Sequence, residues 1–162
     1  MTVIAATQTA IACDQLASNY IGGYNILTKI HVLDNGFVGV AGNAMIINYI
    51  EDHCPDTINS YEEVKAFWHK FRKWCKKHNY MAEHDMPSAA LFLLEAGLFD
   101  CDTSGAVMKI EGYASIGSGM YSALGSLHST IGKSDHKRVK MAVQAAIAHN
   151  PQCGGKPRVY EL

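Results

Sequence analysis

The chain has 162 residues, 48% hydrophobic and 18% charged, with a formal net charge of -1 at pH 7. That length suits one domain, residues 1–162, that can bury a core without disulfide or metal staples, and the balanced charge offers no field to draw nucleic acid or an anionic membrane. No apolar run approaches the roughly 20 residues needed to cross a bilayer, and Cys13, Cys54, Cys75, Cys101 and Cys153 stand far apart with no CxxC pair or signal segment, so a soluble cytoplasmic protein with reduced thiols is expected.

Residues 2–14 are mostly small or β-branched, with Val3, Ile4 and Ile11, and are interrupted near Thr7 to Thr9, which predicts a β-hairpin. Residues 17–25, with Gly22-Gly23, read as an irregular loop, and residues 26–33 as a strand turned by Asn35-Gly36 into a second strand over 37–41. That strand ends at Gly42. A helix is expected over 44–53, where Ile46, Ile47 and Ile50 recur at helical spacing, and Pro55 stops it. Ser60 with Glu63 three residues later is a capping-box signature for the next helix, in which Val64, Phe67, Trp68, Phe71, Trp74 and Cys75 form one seam and Lys65, Lys70, Arg72, Lys73, Lys76 and Lys77 fill the rest. The basic face reads as a solvated surface, since lysines gather towards the C-terminal half where the helix dipole favours them.

After a loop at 81–87, residues 88–95 form a buried strand with a neighbour at 96–100, and 107–112 and 113–116 follow as shorter strands. Gly117-Ser118-Gly119 opens a helix that ends near Gly132. Ser134 or Asp135 caps a last helix, with Val139, Ala142, Val143, Ala146 and Ile147 inward; Pro151 and Gly154-Gly155 break it before a strand at 158–162. Strands in hairpins followed by paired helices predict an α+β fold of two sheets stacked between helix layers, and argue against a doubly wound parallel sheet.

The amino terminus carries the chemistry. Loss of Met1, the usual outcome when so small a residue follows, would give Thr2 a free α-amine beside its own hydroxyl. An α-amine with a reference pKa of about 8 can accept a proton near neutral pH, and a Thr hydroxyl needs such a base to act as a nucleophile. The strand T-V-I-A-A, then I-A-C-D at Ile11 to Asp14, Lys29 after a loop, V-A-G at Val40 to Gly42 opening a helix, and S-I-G-S-G at Ser115 to Gly119 together resemble, in order and spacing, the proteasome β-subunits, above all the HslV-like peptidases.

This resemblance implies an N-terminal-nucleophile hydrolase fold, a four-layer α-β-β-α sandwich of two antiparallel sheets, with threonine endopeptidase activity inside stacked homo-oligomeric rings. It implies no cofactor, unfolded polypeptide as substrate, and an AAA+ ATPase unfoldase as a possible partner. On matching positions Thr2 would be the nucleophile, Asp14 and Lys29 the buried charge pair beside it, Gly42 a backbone donor to the oxyanion, and Ser118 a neighbour of the α-amine. A lysine near the nucleophile would stabilise a developing alkoxide, an aspartate would hold that lysine in place, and a glycine at a strand-to-helix junction frees an N–H for the oxyanion.

One stretch departs from the pattern. Where the proteasome branch carries Asp, then Ser three residues on and Gly, this chain has Asn150-Pro151-Gln152-Cys153-Gly154; Asn150 can accept a hydrogen bond through its amide oxygen but brings no negative charge. A catalytically inactive ring or scaffold subunit is therefore the alternative. A small-molecule amidase, a thiol nucleophile at Cys13 or Cys153, and zinc on Cys75, His78 and His84 are weaker readings, the last without a fourth ligand, and no metal is expected.

Overall fold

The computed structural model describes residues 2–18, 23–25 and 28–162. Among these, β1 (Ile4–Thr7), β2 (Ala10–Cys13), β10 (Tyr113–Ile116) and β11 (Arg158–Glu161) form an antiparallel sheet in the order β10-β1-β2-β11. A second antiparallel sheet holds β5 (Ile30–Leu33), β6 (Gly36–Gly42), β7 (Ser88–Leu94), β8 (Gly97–Cys101) and β9 (Val107–Ile110), in chain order. Helices α1 (Met45–His53) and α2 (Tyr61–Lys77) cover its outer face, while α3 (Met120–Ser129) and α4 (Asp135–His149) cover the first sheet.

Strand alternation builds these layers. On β1 and the residue before it, Val3 and Ala5 face Leu127, Val139, Ala142 and Ala146 of the helices, whereas Ile4 and Ala6 face the other sheet. There they meet Leu91, Leu93 and Leu98, and the two sheets approach so closely that a Cβ on Gly39 would lie 2.6 Å from Ile4 Cγ2. On the opposite pleat of β7, Ala90, Phe92 and Leu94 pack under Phe67, Trp68 and Phe71. The result is the expected α-β-β-α sandwich, an α+β fold with all ladders in both sheets antiparallel.

Some local expectations shift. Residues 17–25 are not simply an irregular loop, because β3 (Leu16–Ser18) and β4 (Gly23–Asn25) pair as a two-stranded antiparallel ribbon. Each strand has three residues, too few for alternation to register against two glycines. Of the strand expected at 26–33, residues 26 and 27 lie outside the described residues, and β5 begins at Ile30 after Thr28 and Lys29. The turn after it falls on Asp34-Asn35, with Gly36 already paired to Leu33. Asn35 is needed there for another reason: its amide donates to Ile58 O at 2.8 Å and accepts from Ile58 N at 3.2 Å, tying the hairpin to the segment before α2.

The capping box at α2 is half formed. Ser60 Oγ accepts from Glu63 N at 3.3 Å, while the Glu63 carboxylate reaches back one residue further, to Asn59 N at 2.8 Å. Val64, Phe67, Trp68, Phe71 and Cys75 are buried, Trp74 partly so, and Lys70, Arg72, Lys73, Lys76 and Lys77 face outward, giving the solvated basic face its ordinary explanation. Among the described residues no helix is long and apolar enough to cross a membrane.

Candidate active site

Thr2 lies just before β1, at the end of the central hairpin of the first sheet, and is 6% exposed. Its neighbour Val3 is bonded both ways to the residue that follows β2: Asp14 N donates to Val3 O at 3.3 Å, and Val3 N donates to Asp14 Oδ1 at 3.0 Å. The carboxylate is wholly buried, so its oxygens need partners inside the protein. Oδ1 also accepts from Lys29 Nζ at 2.6 Å, and Oδ2 accepts from Gly154 N at 3.1 Å and Leu16 N at 3.3 Å. Lys29, 4% exposed, donates in addition to Leu16 O at 2.6 Å. One carboxylate oxygen thus joins the lysine to the amide next to Thr2.

The other side of Thr2 is held by the loop between β10 and α3. Thr2 N donates to Ser118 Oγ at 3.3 Å, and Thr2 O accepts from Ser118 Oγ and from Gly119 N, both at 3.3 Å. In the unprocessed chain Thr2 N is a peptide nitrogen; removal of Met1 would turn the same atom into the α-amine. Gly117, at φ +94, lies so near Thr2 O that a Cβ there would collide with it. Gly119 is hemmed in as well, since a Cβ would stand 2.8 Å from both Ala146 Cβ and Cys153 Sγ. The close fit of two glycines and a serine around one threonine requires side chains no larger than these.

Gly42 ends β6 opposite Ser88 and takes φ +115, a region that favours glycine, with Pro87 O and Ser88 Cα standing where a Cβ would go. It is exposed and lines a groove of about 450 Å³ with Ala41, Ser88, Gly117, Ile116 and Met120. Gly117 is the common wall between this groove and the carbonyl of Thr2. A smaller recess, about 70 Å³, opens beside Lys29 between β5, β6 and α1, lined by His31, Val40, Ile47, Ile50 and Glu51.

The structure therefore brings Thr2, Asp14, Lys29 and Ser118 into one hydrogen-bonded cluster and puts Gly42 at the mouth of the adjoining groove. Cys13 and Cys153 are both buried, and burial raises both thiols, with Asp14 adding to the rise at each; a thiol held protonated is a poor nucleophile. Cys75 sits in the aromatic core with its thiol pushed up to about 11 by burial, while His78 and His84 are exposed.

Two further residues complete the cluster, and the first has no local signature in the sequence. Gly154 serves Asp14 through its backbone N–H across 140 residues, and any residue type could donate that bond. Asn150 is conspicuous in sequence, yet its role differs from acceptance through the amide oxygen alone: Nδ2 donates to Ser118 O at 2.7 Å, and Oδ1 accepts from Gln152 N at 2.9 Å.

No family model and no curated relative matches the sequence. Solved structures do match in shape. BPH from Thiobacillus denitrificans superposes with a TM-score of 0.86 at 18% identity, covering 99% of this chain and 97% of that one; the same protein has been solved in complex with epoxomicin. HslV from Trypanosoma brucei matches at 0.80 with 14% identity over 99% of this chain and 98% of that one. The Anbu (Gly-1) mutant from Hyphomicrobium sp. strain MC1 matches at 0.76 with 12% identity, covering 100% of this chain and 82% of that one. With its two antiparallel sheets between helix pairs, the chain has an HslV-like, proteasome-like fold.

Proposed function

We propose that this chain is a threonine endopeptidase subunit of a self-compartmentalising, proteasome-like ring, with Thr2 as nucleophile once Met1 has been removed. The observation that carries the reading is the cluster itself: a buried threonine whose nitrogen meets Ser118 Oγ and whose neighbour shares a carboxylate oxygen with a buried lysine. A threonine that merely began an edge strand would not need a buried ion pair fastened to the next amide, because burying two charges costs several kcal/mol before their attraction offsets it.

In the proposed reaction the Thr2 hydroxyl oxygen bonds to a substrate carbonyl carbon as its proton passes to the α-amine, directly or through Ser118. The oxyanion is met by the Gly42 N–H, and the ammonium of Lys29 stabilises the alkoxide that forms on attack. The C–N bond then breaks, the leaving amine takes the proton from the α-ammonium, and an ester to Thr2 remains. Water, deprotonated by the same amine, attacks that ester and releases the carboxylate product, returning the hydroxyl to Thr2. Substrate would lie in the groove along Gly42, unfolded polypeptide being the form thin enough to enter a ring interior. Stacked homo-oligomeric rings, an AAA+ unfoldase as partner and a cytoplasmic location belong to this reading.

An inactive ring or scaffold subunit is the second reading, favoured by the missing carboxylate at Asn150. Intact mass decides whether Met1 is lost, and cleavage of fluorogenic peptides by the parent protein and by Thr2→Ala decides between the readings. The peptidase reading expects a chain beginning at Thr2 and cleavage abolished in the variant. Equal cleavage by both proteins, or none by a processed parent, overturns it. Epoxomicin, with which BPH has been solved in complex, should be retained by the parent and not by Thr2→Ala.

A further inference from the structure

The segment that departs from the family pattern, residues 150–154, grips both flanks of Thr2 at once: Gly154 N reaches Asp14 Oδ2, and Asn150 Nδ2 reaches Ser118 O. The orientation of the Asn150 amide is decided by its partners. Gln152 N can only donate and Ser118 O can only accept, so Oδ1 faces the first and Nδ2 the second. We infer that Asn150 is a positioning residue whose amide N–H, not an acidic group, sets the Ser118 hydroxyl against the nitrogen of Thr2. The inference rests on the peptidase reading for its consequence in catalysis, but its geometric content stands apart from it.

The chemistry is asymmetric. A carboxylate at position 150 could keep the bond from Gln152 N, yet its second oxygen would oppose the carbonyl of Ser118 at the 2.7 Å now spanned by a hydrogen bond. Two acceptors at that separation repel, so the bond that ties Asn150 to the Ser118 loop is lost. Restoring the acid found in the proteasome pattern should therefore loosen the loop. Because Ser118 O and Ser118 Oγ belong to one residue, and the next amide, Gly119 N, donates to Thr2 O, any slackening passes directly to the threonine.

Asn150→Asp and Asn150→Ala, in the full chain, test this with two measurements. Hydrogen exchange over residues 117–119 should accelerate at least fivefold in both variants at pH 7.5, with exchange in β1 and α4 unchanged as the control for folding. Peptide cleavage should show kcat down roughly tenfold in both, KM within twofold, as expected for one lost hydrogen bond that orients a reacting group. An Asn150→Asp protein with unaltered exchange and cleavage equal to or faster than the parent would overturn the inference. Should the processed parent prove inactive, the peptidase reading fails alone, and the exchange result still decides whether the amide holds the loop.

Discussion

The two halves of the sandwich are built from different materials. Under α1 and α2 the second sheet presents Phe92 and Phe99 to Phe67, Trp68 and Phe71 of α2, large side chains that bury much area. Under α3 and α4 the first sheet presents Val3, Ala5, Ala10 and Ala12 to Ala123, Ala142 and Ala146 of the helices. Each buried aromatic removes about 150–250 Å² from water, so the half under α1 and α2 carries the greater share of the hydrophobic stabilisation. Alanine and glycine contribute less burial but let backbones approach, and it is at that closely packed edge that Thr2, Ser118 and Gly119 meet. Stability and precision are thus divided between the halves.

Substitutions separate the two, beginning with the largest effect. Thr2→Ala should lower peptide cleavage by about 10⁴-fold or more, as removal of a nucleophile does elsewhere, while urea unfolding changes little, since only a hydroxyl and one methyl group are lost. Phe71→Ala, on the aromatic side, should cost about 3–5 kcal/mol in urea unfolding and leave kcat per folded molecule within twofold. If Phe71→Ala also abolished kcat at full folding, the division between halves would be wrong.

Gly119→Ala sharpens the contrast from the other side. Gly119 has φ -89, which any residue tolerates, so the whole penalty comes from a Cβ placed 2.8 Å from Ala146 Cβ and Cys153 Sγ. Overpacking of this kind should cost about 1–3 kcal/mol in stability and lower kcat by moving Ser118, with thermal melting and steady-state rates as the readouts.

The smallest effect lies on the solvent side of α4. Burial works to raise the Asp135 carboxyl, but hydrogen bonds from Thr9 and Arg138, with Thr7 and the charge of Arg138 assisting, outweigh it and hold the group below its ordinary value. A folded value below the unfolded one means the contribution is complete above the ordinary carboxylate pKa of about 3.9. It fades as pH falls through the folded value. Asp135→Asn should lose no more than about 1 kcal/mol at pH 7, and the difference from the parent, followed by denaturation, should vanish in strong acid.

How much of this was written in the chain order can be argued residue by residue. The aromatic seam of α2 follows from a periodicity that local burial imposes, the strands β1 and β7 from runs of small, β-branched or apolar residues, and the end of α1 from Pro55, and these determined the layers. Thr2, Asp14, Lys29, Gly42 and Ser118 stood out only as a set, through likeness to a known pattern. What folding alone decided was who meets whom. Ser118 reaches Thr2 across 116 residues, and β1 lies between β2 and β10 rather than at an edge. The donor face of Asn150 likewise became visible only with Ser118 O and Gln152 N in place. Hydrophobic periodicity is a property of neighbours along the chain; the partner of a polar atom is a property of neighbours in space, and no spacing rule connects them.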